Sequence, residues 1–438
     1  EVDKVKWFTP TYYASGISDI DVNNLKAQGI KVIMLDIDIT LVPTSKKTPT
    51  PSVVDWIENA KSAGMHVVLF SNNSEKRVSL FNKNLKLYSV HRAFKPLGFR
   101  INKIAREYKV RKSEICMIGD QVFTDVWGAN RAGVMSVLVM PLSRDEGLGV
   151  RLKRHLENIA IKKYRANTYC LIGNPVAHSK SPRLHEMVYE SFGIKARYML
   201  CRAEKENLGR VLSRFKYSGV QGFNVTVPFK QDIIPYLDKV DEEARVIGSV
   251  NTVVSENGKW VGYNTDGKGF IRQLKANNTV IKGSRVKIIG AGGTTAAIAY
   301  ALSAEGAKSI EIYNRTFSKA EALANRIKNV IPKNLADFTA ADCDILINAT
   351  SVGMSPDVNA SPVDNLCGIE AGTCVYDIIY NPPVTKFMEM AISKGCKAYN
   401  GLALLVYQGV IADEIWFGRQ MADEQLIKKI IKRLGEEI

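Results

Sequence analysis

Gly262-Tyr263-Asn264-Thr265-Asp266-Gly267 divides the chain into two kinds of sequence. Before it, strands alternate with polar loops rich in Ser, Asn and Lys. After it comes a glycine-rich turn, Gly290-Ala291-Gly292-Gly293-Thr294-Thr295, with a strand read at Val286–Ile289 in front and an Ala-rich helix behind. The glycines alone would say little, but strand, turn and helix together mark a nucleotide-binding βαβ unit of an open α/β fold. An acid on a loop that joins two such lobes faces the cleft they form, which makes Asp266 a candidate for catalytic chemistry. An Asx-turn capping a helix from Lys268 is the competing assignment.

Downstream, a second strand at Ser309–Tyr313 ends in Asn314-Arg315-Thr316, with Lys319 close behind. An NAD site would show an acid there, to accept a ribose hydroxyl and repel a phosphate. Cations and donors in its place favour a 2′-phosphate, hence NADP, whose pyrophosphate would lie on the helix N-terminus after Gly290, Gly292 and Gly293. Strands at Ile345–Ala349 and Thr373–Asp377 end in polar turns, the second carrying Ile378 and Tyr380. An apolar helix at Leu402–Phe417, preceded by Gly401, carries Gln408 on a hydrophobic surface, where it is either a capped or solvent-facing side chain or a ligand contact. The last helix, with Leu426, Ile427, Ile430, Ile431 and Leu434, is ordinary amphipathic packing.

Upstream, a strand at Tyr169–Ile172 runs into Gly173-Asn174-Pro175-Val176-Ala177-His178-Ser179-Lys180-Ser181-Pro182. The hydroxyls of Ser179 and Ser181, spaced by two, can turn to one small polar ligand, although Ser181 before Pro182 also reads as a helix cap. Two further polar strand ends follow, Asn224-Val225-Thr226-Val227-Pro228-Phe229-Lys230 and Ser249-Val250-Asn251-Thr252. Hydroxyls, amides and one ammonium form an inventory suited to a polyhydroxylated carboxylate.

These strings, taken in order from about residue 167 to 420, closely resemble shikimate dehydrogenase. The resemblance implies that Ser179 and Ser181 hold the substrate carboxylate. Asn224, Thr226, Lys230, Asn251 and Asp266 would surround its hydroxyl-bearing edge, with Lys230 and Asp266 as the proton-handling pair. It further implies that the turn with Ile378 and Tyr380, and Gly401, lie beside the nicotinamide, and that Gln408 returns to the substrate. The implied reaction is reduction of 3-dehydroshikimate to shikimate by NADPH, a step of aromatic amino acid biosynthesis. Ser181 favours shikimate over quinate. One departure stands at Thr295-Ala296, where the family often has Arg; quinate as substrate and NAD as cofactor stay open.

The first third of the chain carries a second constellation. A buried strand at Ile30–Leu35 ends in Asp36-Ile37-Asp38-Ile39-Thr40. A helix from Ser52 stops at Gly64, and a strand at Met65–Phe70 ends in Ser71-Asn72-Asn73. Lys95-Pro96 follows, then a strand at Ile115–Ile118 ends in Gly119-Asp120 with Asp125 beyond. Carboxylates gathered at strand ends repel unless a hard cation neutralises them, and Mg²⁺ accepts such oxygens. With the charge screened, Asp36 could attack phosphorus while Asp38 donates and removes protons. The ordered motifs resemble the haloacid dehalogenase (HAD) phosphatases, and their wording is similar to the YqeG-type branch and to phosphatidylglycerophosphate phosphatases. That resemblance implies Asp36 as nucleophile, Asp38 as acid/base, Ser71 and Lys95 as phosphate holders, and magnesium at Asp36, Asp38, Asp120 and Asp125. Ile39 departs from the Asn usual in the branch. A domain without catalysis, serving docking or membrane association, is the alternative.

With 438 residues, 46% hydrophobic and 24% charged, the chain has room for several folding units of a globular protein. The seven cysteines are scattered, without a Cys-x-x-Cys pair, as expected of reduced thiols, and five histidines argue against a histidine metal site. Net charge is +16, concentrated in residues 1–165, where 27 Lys and Arg face 16 Asp and Glu. Such a field attracts phosphorylated substrates or an anionic membrane surface. No nucleic-acid module with interleaved aromatics is present, so nucleic acid is not expected as a partner.

No apolar run reaches membrane-spanning length and no secretory signal is read, so a cytoplasmic location is expected, with peripheral contact at the inner face of the membrane through a basic helix at 151–166. The chain begins at Glu1 rather than Met, so further N-terminal sequence is expected. The expected organisation is a HAD-type Rossmannoid domain (1–150), the basic linker (151–166), a shikimate-binding lobe (167–267), an NADP-binding Rossmann lobe (268–400) and returning C-terminal helices (401–438), as monomer or homodimer.

Overall fold

The computed structural model describes residues 7–8, 10–14, 16–139, 142, 167–176, 179–218 and 220–437; the basic stretch 151–166 lies outside them. By its backbone contacts the chain falls into two compact units, Glu1–His178 with Met199–Val220, and Ser179–Tyr198 with Gln221–Ile438.

In the first unit the strands are β1 (Tyr12–Ala14), β2 (Val32–Leu35), β3 (His66–Phe70), β4 (Tyr88–Val90), β5 (Ile115–Gly119) and β6 (Met135–Val139). The helices are α1 (Val22–Ala27), α2 (Pro51–Ser62), α3 (Glu75–Asn82), α4 (Phe99–Glu107) and α5 (Trp127–Ala132). The strands form one parallel sheet in the order β1-β6-β5-β2-β3-β4. The central β2 and β5 are buried along their whole length, as an apolar run covered on both faces requires. Two cores flank the sheet, one around Ile33, Leu35, Trp56, Ile57 and Phe81, the other around Val32, Met34, Phe70, Ile101 and Ile104. Local chemistry sets the helix starts: Thr50 caps α2 ahead of Pro51, and Ser74 caps α3.

The chain continues through β7 (Asn167–Gly173), α6 (Ser181–Ser191), β8 (Ala196–Arg202) and α7 (Leu208–Ser218). In the second unit β9 (Gly222–Val225), β10 (Lys239–Val240), α8 (Glu242–Ile247), β11 (Thr252–Glu256) and β12 (Lys259–Tyr263) come next. β11 pairs antiparallel with both β9 and β12, and this register sets Thr252 opposite Asn224 on one side and Tyr263 on the other.

The remainder comprises α9 (Asp266–Ala276), β13 (Arg285–Ile289), α10 (Gly293–Ala304), β14 (Ser309–Asn314), α11 (Phe317–Ala324), β15 (Val330–Asn334), β16 (Ile345–Asn348), β17 (Cys374–Asp377), α12 (Lys386–Ser393), β18 (Lys397–Tyr399), α13 (Leu402–Phe417) and α14 (Glu424–Gly435). Its sheet is parallel, in the order β15-β14-β13-β16-β17-β18, the doubly wound arrangement in which ligands bind where the winding reverses, here between β13 and β16. The expected strands and helices fall here with shifts of a residue or two at their ends. All seven cysteines are unpaired. No helix among the described residues is long and apolar enough to cross a membrane.

Helix α13 is apolar almost all round because it is surrounded, packing on α9, α6 and α14. Its crossing with α9 depends on Gly269, where an added Cβ would stand 2.8 Å from the Gln408 nitrogen and 3.0 Å from its Cα. Backbone on one side leaves nothing flexible to give way. Gly269→Ala is expected to destabilise the protein by about 1–3 kcal/mol, read as a melting temperature lower by several degrees. An unchanged melting curve would contradict this packing.

Candidate active sites

The first site gathers where β9, β12 and α10 end or begin. Lys230, four residues past Thr226 in the turn after β9, places its Nζ 2.5 Å from Asp266 Oδ2. The Thr294 hydroxyl accepts from Lys230 and donates to Asp266, both at 3.3 Å. Asn251 Nδ2 donates to the other Asp266 oxygen at 2.7 Å. Asn251 is itself held through its Oδ1, which accepts from the Thr265 amide at 2.8 Å and the Thr252 hydroxyl at 3.0 Å. Gln408 Oε1, from α13, accepts from Thr265 at 3.3 Å and Asn251 at 3.4 Å. Lys230, Asn251, Asp266 and Gln408 are thus brought together.

The helix-cap assignment for Asp266 does not describe this arrangement. Helix α9 starts at Asp266 itself, its cap residue Thr265 makes no side-chain cap bond, and the first helical amide, that of Asp266, donates to Asn264 Oδ1 at 3.0 Å. The carboxylate is engaged with Lys230, Asn251 and Thr294 instead. Asn224 is tied into the same network: its Oδ1 accepts from Tyr198 at 2.7 Å, and its Nδ2 donates to Thr252 at 3.0 Å and to the Asn251 carbonyl at 3.2 Å. With both ends of its amide used inside the fold, Asn224 braces Asn251.

Ser179 and Ser181 stand at the start of α6, their hydroxyls 3.1 Å apart. Ser181 is the first helical residue, and its amide donates to Ser179 Oγ at 3.2 Å, so the capping oxygen belongs to Ser179. Thr226 makes the turn by accepting from the Phe229 amide through its carbonyl.

At the reversal of the doubly wound sheet, Gly290 has φ +107° and a Cβ there would press on the Ala349 carbonyl. Gly292 precedes α10 with open space where a side chain would stand, and the helix presents its free amides beyond it. Asn314 closes the turn after β14 by donating to the Thr316 carbonyl at 2.9 Å. Arg315, Thr316 and Lys319 are exposed beside it, with no acid in the turn. This donor set fits a phosphorylated dinucleotide. After β17, buried Asp377 accepts from Asn348, the Ile379 amide and Thr385, which fixes the turn containing Ile378 and Tyr380. Gly401 donates to the Ile379 carbonyl at 2.9 Å, and any Cβ on it would overlap the Ile378 carbonyl. Burial raises the Tyr380 hydroxyl pKa.

The second site lies at the carboxyl ends of β2, β3 and β5. Asp36, Asp120 and Asp125 are buried, with one oxygen of each within 4.8 Å of the others. Lys95 Nζ lies 2.8 Å from Asp36 and 2.6 Å from Asp125. Burial would lower its ammonium pKa, but the two carboxylates outweigh burial and raise it. Burial holds the Asp125 carboxyl up at about 6, against the pull of Lys95. Thr40 donates to Asp120 at 2.9 Å. Asn72 fixes the Lys95 backbone through two bonds, and Ser71 Oγ accepts from the Asn73 amide. Gly119 is required, since a Cβ there would run into the Asp125 side chain.

One ammonium against three buried carboxylates leaves an excess of negative charge that a divalent cation would neutralise, so the donor set fits magnesium. Asp38, the fourth residue of the expected ligand set, is held by other groups. Its carboxylate accepts from Arg77 Nη2 at 2.7 Å and Nε at 3.1 Å, and from Asn73 at 2.6 Å. The turn at Ile39 accompanies this. Ile39 has φ +67°, a left-handed conformation that Asn tolerates and a β-branched residue resists, which gives the departure from Asn a structural cost. Arg77 and Asn73 sit in a stretch already visible as Ser-Asn-Asn-Ser-Glu-Lys-Arg, and Thr294 in Gly-Gly-Thr-Thr, yet neither Arg77 nor Thr294 stood out as functional.

Residues 171–253 match the model of the shikimate dehydrogenase substrate binding domain, residues 273–374 that of shikimate/quinate 5-dehydrogenase, and residues 2–133 that of haloacid dehalogenase-like hydrolases. A shikimate dehydrogenase (NADP⁺) of Bacillus cereus is 41% identical over 273 residues, which is 61% of this chain and 98% of the relative. A shikimate dehydrogenase solved with NADP⁺ is 37% identical over 62% of this chain and 96% of its own, with a TM-score of 0.58. The shikimate 5-dehydrogenase of Listeria monocytogenes, solved with shikimate and NAD, is 31% identical over 61% and 96%, with a TM-score of 0.57. Covering nearly the full length of such relatives, the chain belongs to the shikimate dehydrogenase family, with a haloacid dehalogenase-like hydrolase domain fused at its N-terminal side.

Proposed function

We propose that residues 167–438 catalyse the reversible NADP-dependent reduction of 3-dehydroshikimate to shikimate, and that residues 1–150, joined through 151–166, form a magnesium-dependent phosphatase. The Lys230–Asp266 pair, held by Asn251 and Thr294, carries the first reading. In this assignment residues 167–267 bind shikimate, 268–400 bind NADP and 401–438 return to the substrate. Ser179 and Ser181 orient the carboxylate, while Thr226, Asn251 and Gln408 offer donors and acceptors to the ring hydroxyls. NADPH, when bound, supplies the hydride. Lys230 Nζ gives a proton to the ketone oxygen in one direction and takes it back in the other, and Asp266 keeps the ammonium aimed at that oxygen. Gly290, Gly292 and Gly293 leave room for the pyrophosphate, Asn314, Arg315, Thr316 and Lys319 receive the 2′-phosphate, and Ile378, Tyr380 and Gly401 border the nicotinamide.

In the phosphatase, Asp36 would be the nucleophile, and Asp36, Asp120 and Asp125 would hold magnesium, which lowers the repulsion between carboxylate and phosphate when bound. Lys95 and Ser71 would hold the phosphate. Asp38, gripped by Arg77 and Asn73, would move the proton at the leaving oxygen. Exposed Phe94, Leu97 and Phe99 flank the Lys95 segment, with Arg100 over both rings at 5.3 and 5.9 Å. Apolar surface with a cation beside the phosphate holder supports a lipid phosphate monoester, phosphatidylglycerophosphate, met at an anionic membrane.

Lys230→Ala is expected to lower kcat for shikimate oxidation by about 10²–10⁴, while NADPH affinity in a fluorescence titration changes less than about twofold. A variant that keeps most of its turnover would remove Lys230 from the proton step. In the other domain, magnesium-dependent release of phosphate from phosphatidylglycerophosphate should vanish in Asp36→Asn with shikimate oxidation untouched. Release that survives the substitution would exclude Asp36 as nucleophile, and no release from the unaltered chain would favour the docking alternative.

A further inference from the structure

His185 and Asp413 form a sealed ionisable pair that the chemistry above does not use. His185 lies on α6, one turn past Ser181, and Asp413 lies on α13, five residues past Gln408. His185 Nδ1 stands 2.9 Å from both Asp413 oxygens, with side-chain exposures of 1% and 0%. A nitrogen between two carboxylate oxygens is a directional contact. It specifies the rotation and height of one helix against the other, in addition to the apolar packing between them.

Stability is a poor explanation for such a pair. Both groups lose their hydration, and apolar side chains of similar volume commonly serve as well or better in such a place. Helix α13 buries Val410, Ile411 and Ala412 just ahead of Asp413, and its next charged residue, Glu414, is paired with Arg272 instead. Burial raises the Asp413 carboxyl pKa, and the imidazole only partly offsets it.

The neighbours of the pair lead to the substrate residues by three routes. Along α6 the route is one turn to Ser181 and its partner Ser179. Along α13 it reaches Gln408. The third crosses the His185 ring, which stacks on Tyr198 with centroids 4.0 Å apart and planes at 14°. Tyr198 donates to Asn224, Asn224 to Thr252, Thr252 to Asn251, and Asn251 to Asp266. The helices approach closely at Gly409, where a Cβ would stand 3.0 Å from Leu184 and 3.7 Å from His185 Cε1.

We propose that His185 and Asp413 are a positioning pair that sets the spacing between the serines of α6 and Gln408 of α13, and so fits the site to its carboxylate-bearing substrate. The substrate part of this rests on the dehydrogenase reading, whereas the helix clamp does not. Asp413→Asn and the apolar double variant His185→Phe/Asp413→Leu, made in the full chain, test it. The double variant leaves no lone charge buried and keeps the fold accessible if the single one does not fold.

In both variants KM for shikimate should rise about tenfold, with kcat changed by less than about threefold and KM for NADP⁺ within about twofold. In a Ser181→Ala background Asp413→Asn should add less than about a further twofold to KM, because both act on one contact. Amide exchange at residues 179–184 should speed up about tenfold in the double variant, even where its melting temperature equals that of the unaltered chain. This readout reports the clamp whether or not shikimate is the substrate. Turnover of shikimate by the unaltered chain reports the dehydrogenase reading separately. Unchanged exchange in the double variant overturns the clamp. Unchanged KM, full additivity with Ser181→Ala, or a parallel loss in kcat and both KM values overturns its role at the substrate.

Discussion

The ion pair between Lys230 and Asp266 is the constraint around which the second unit is arranged. A lysine and an aspartate with side-chain exposures of 18% and 8% lose much of their hydration, and close geometry with further hydrogen bonds has to offset that loss. Asn251 provides one such bond, and it is oriented by Thr252, Thr265 and the Asn224 amide. Thr294 provides another from the first turn of α10, the helix that follows the glycine-rich turn. The Lys230–Asp266 pair and the glycine-rich turn are therefore joined by a single side chain. The antiparallel register of β9, β11 and β12 makes this possible, because it brings the turns that carry Lys230, Asn251 and Asp266 to one end of the same strands.

The two candidate sites solve opposite electrostatic problems. In the second unit one ammonium meets one carboxylate, and the pair is neutral as it stands. In the first unit three buried carboxylates meet one ammonium, Lys95, and the remaining negative charge calls for a cation. Asp38 is exempt from that crowding because Arg77 neutralises it and Asn73 helps to orient it. The difference accounts for the residue types: amides and hydroxyls around Asp266, a glycine and a lysine around Asp125.

Much of this was legible in the sequence where chemistry is carried by short strings at strand ends. The glycine turn, the serine pair, Lys230, Asn251 and Asp266, and the acids at 36, 120 and 125 are all local signals tied to apolar runs. Pairings that depend on how helices cross were not legible. His185 and Asp413 lie 228 positions apart, and each looks like an unremarkable residue on its own helix. Asn224 sits in a string shared with Thr226 and Lys230, yet its amide bonds Tyr198, Thr252 and the Asn251 carbonyl, partners 26 to 28 positions away that the string itself does not reveal. Asp38 likewise shares its string with Asp36 but, one residue ahead of the left-handed turn at Ile39, meets a different partner, Arg77.

Shikimate oxidation by the full chain, compared with quinate oxidation and measured with NADP⁺ and with NAD⁺, tests the central claim most directly. Exposed Arg315 and Lys319 beside the β14 turn, with no acid there, predict the highest kcat/KM for shikimate with NADP⁺, by about tenfold or more over NAD⁺. A higher kcat/KM for quinate, equal use of NAD⁺, or no oxidation of shikimate at all would contradict it.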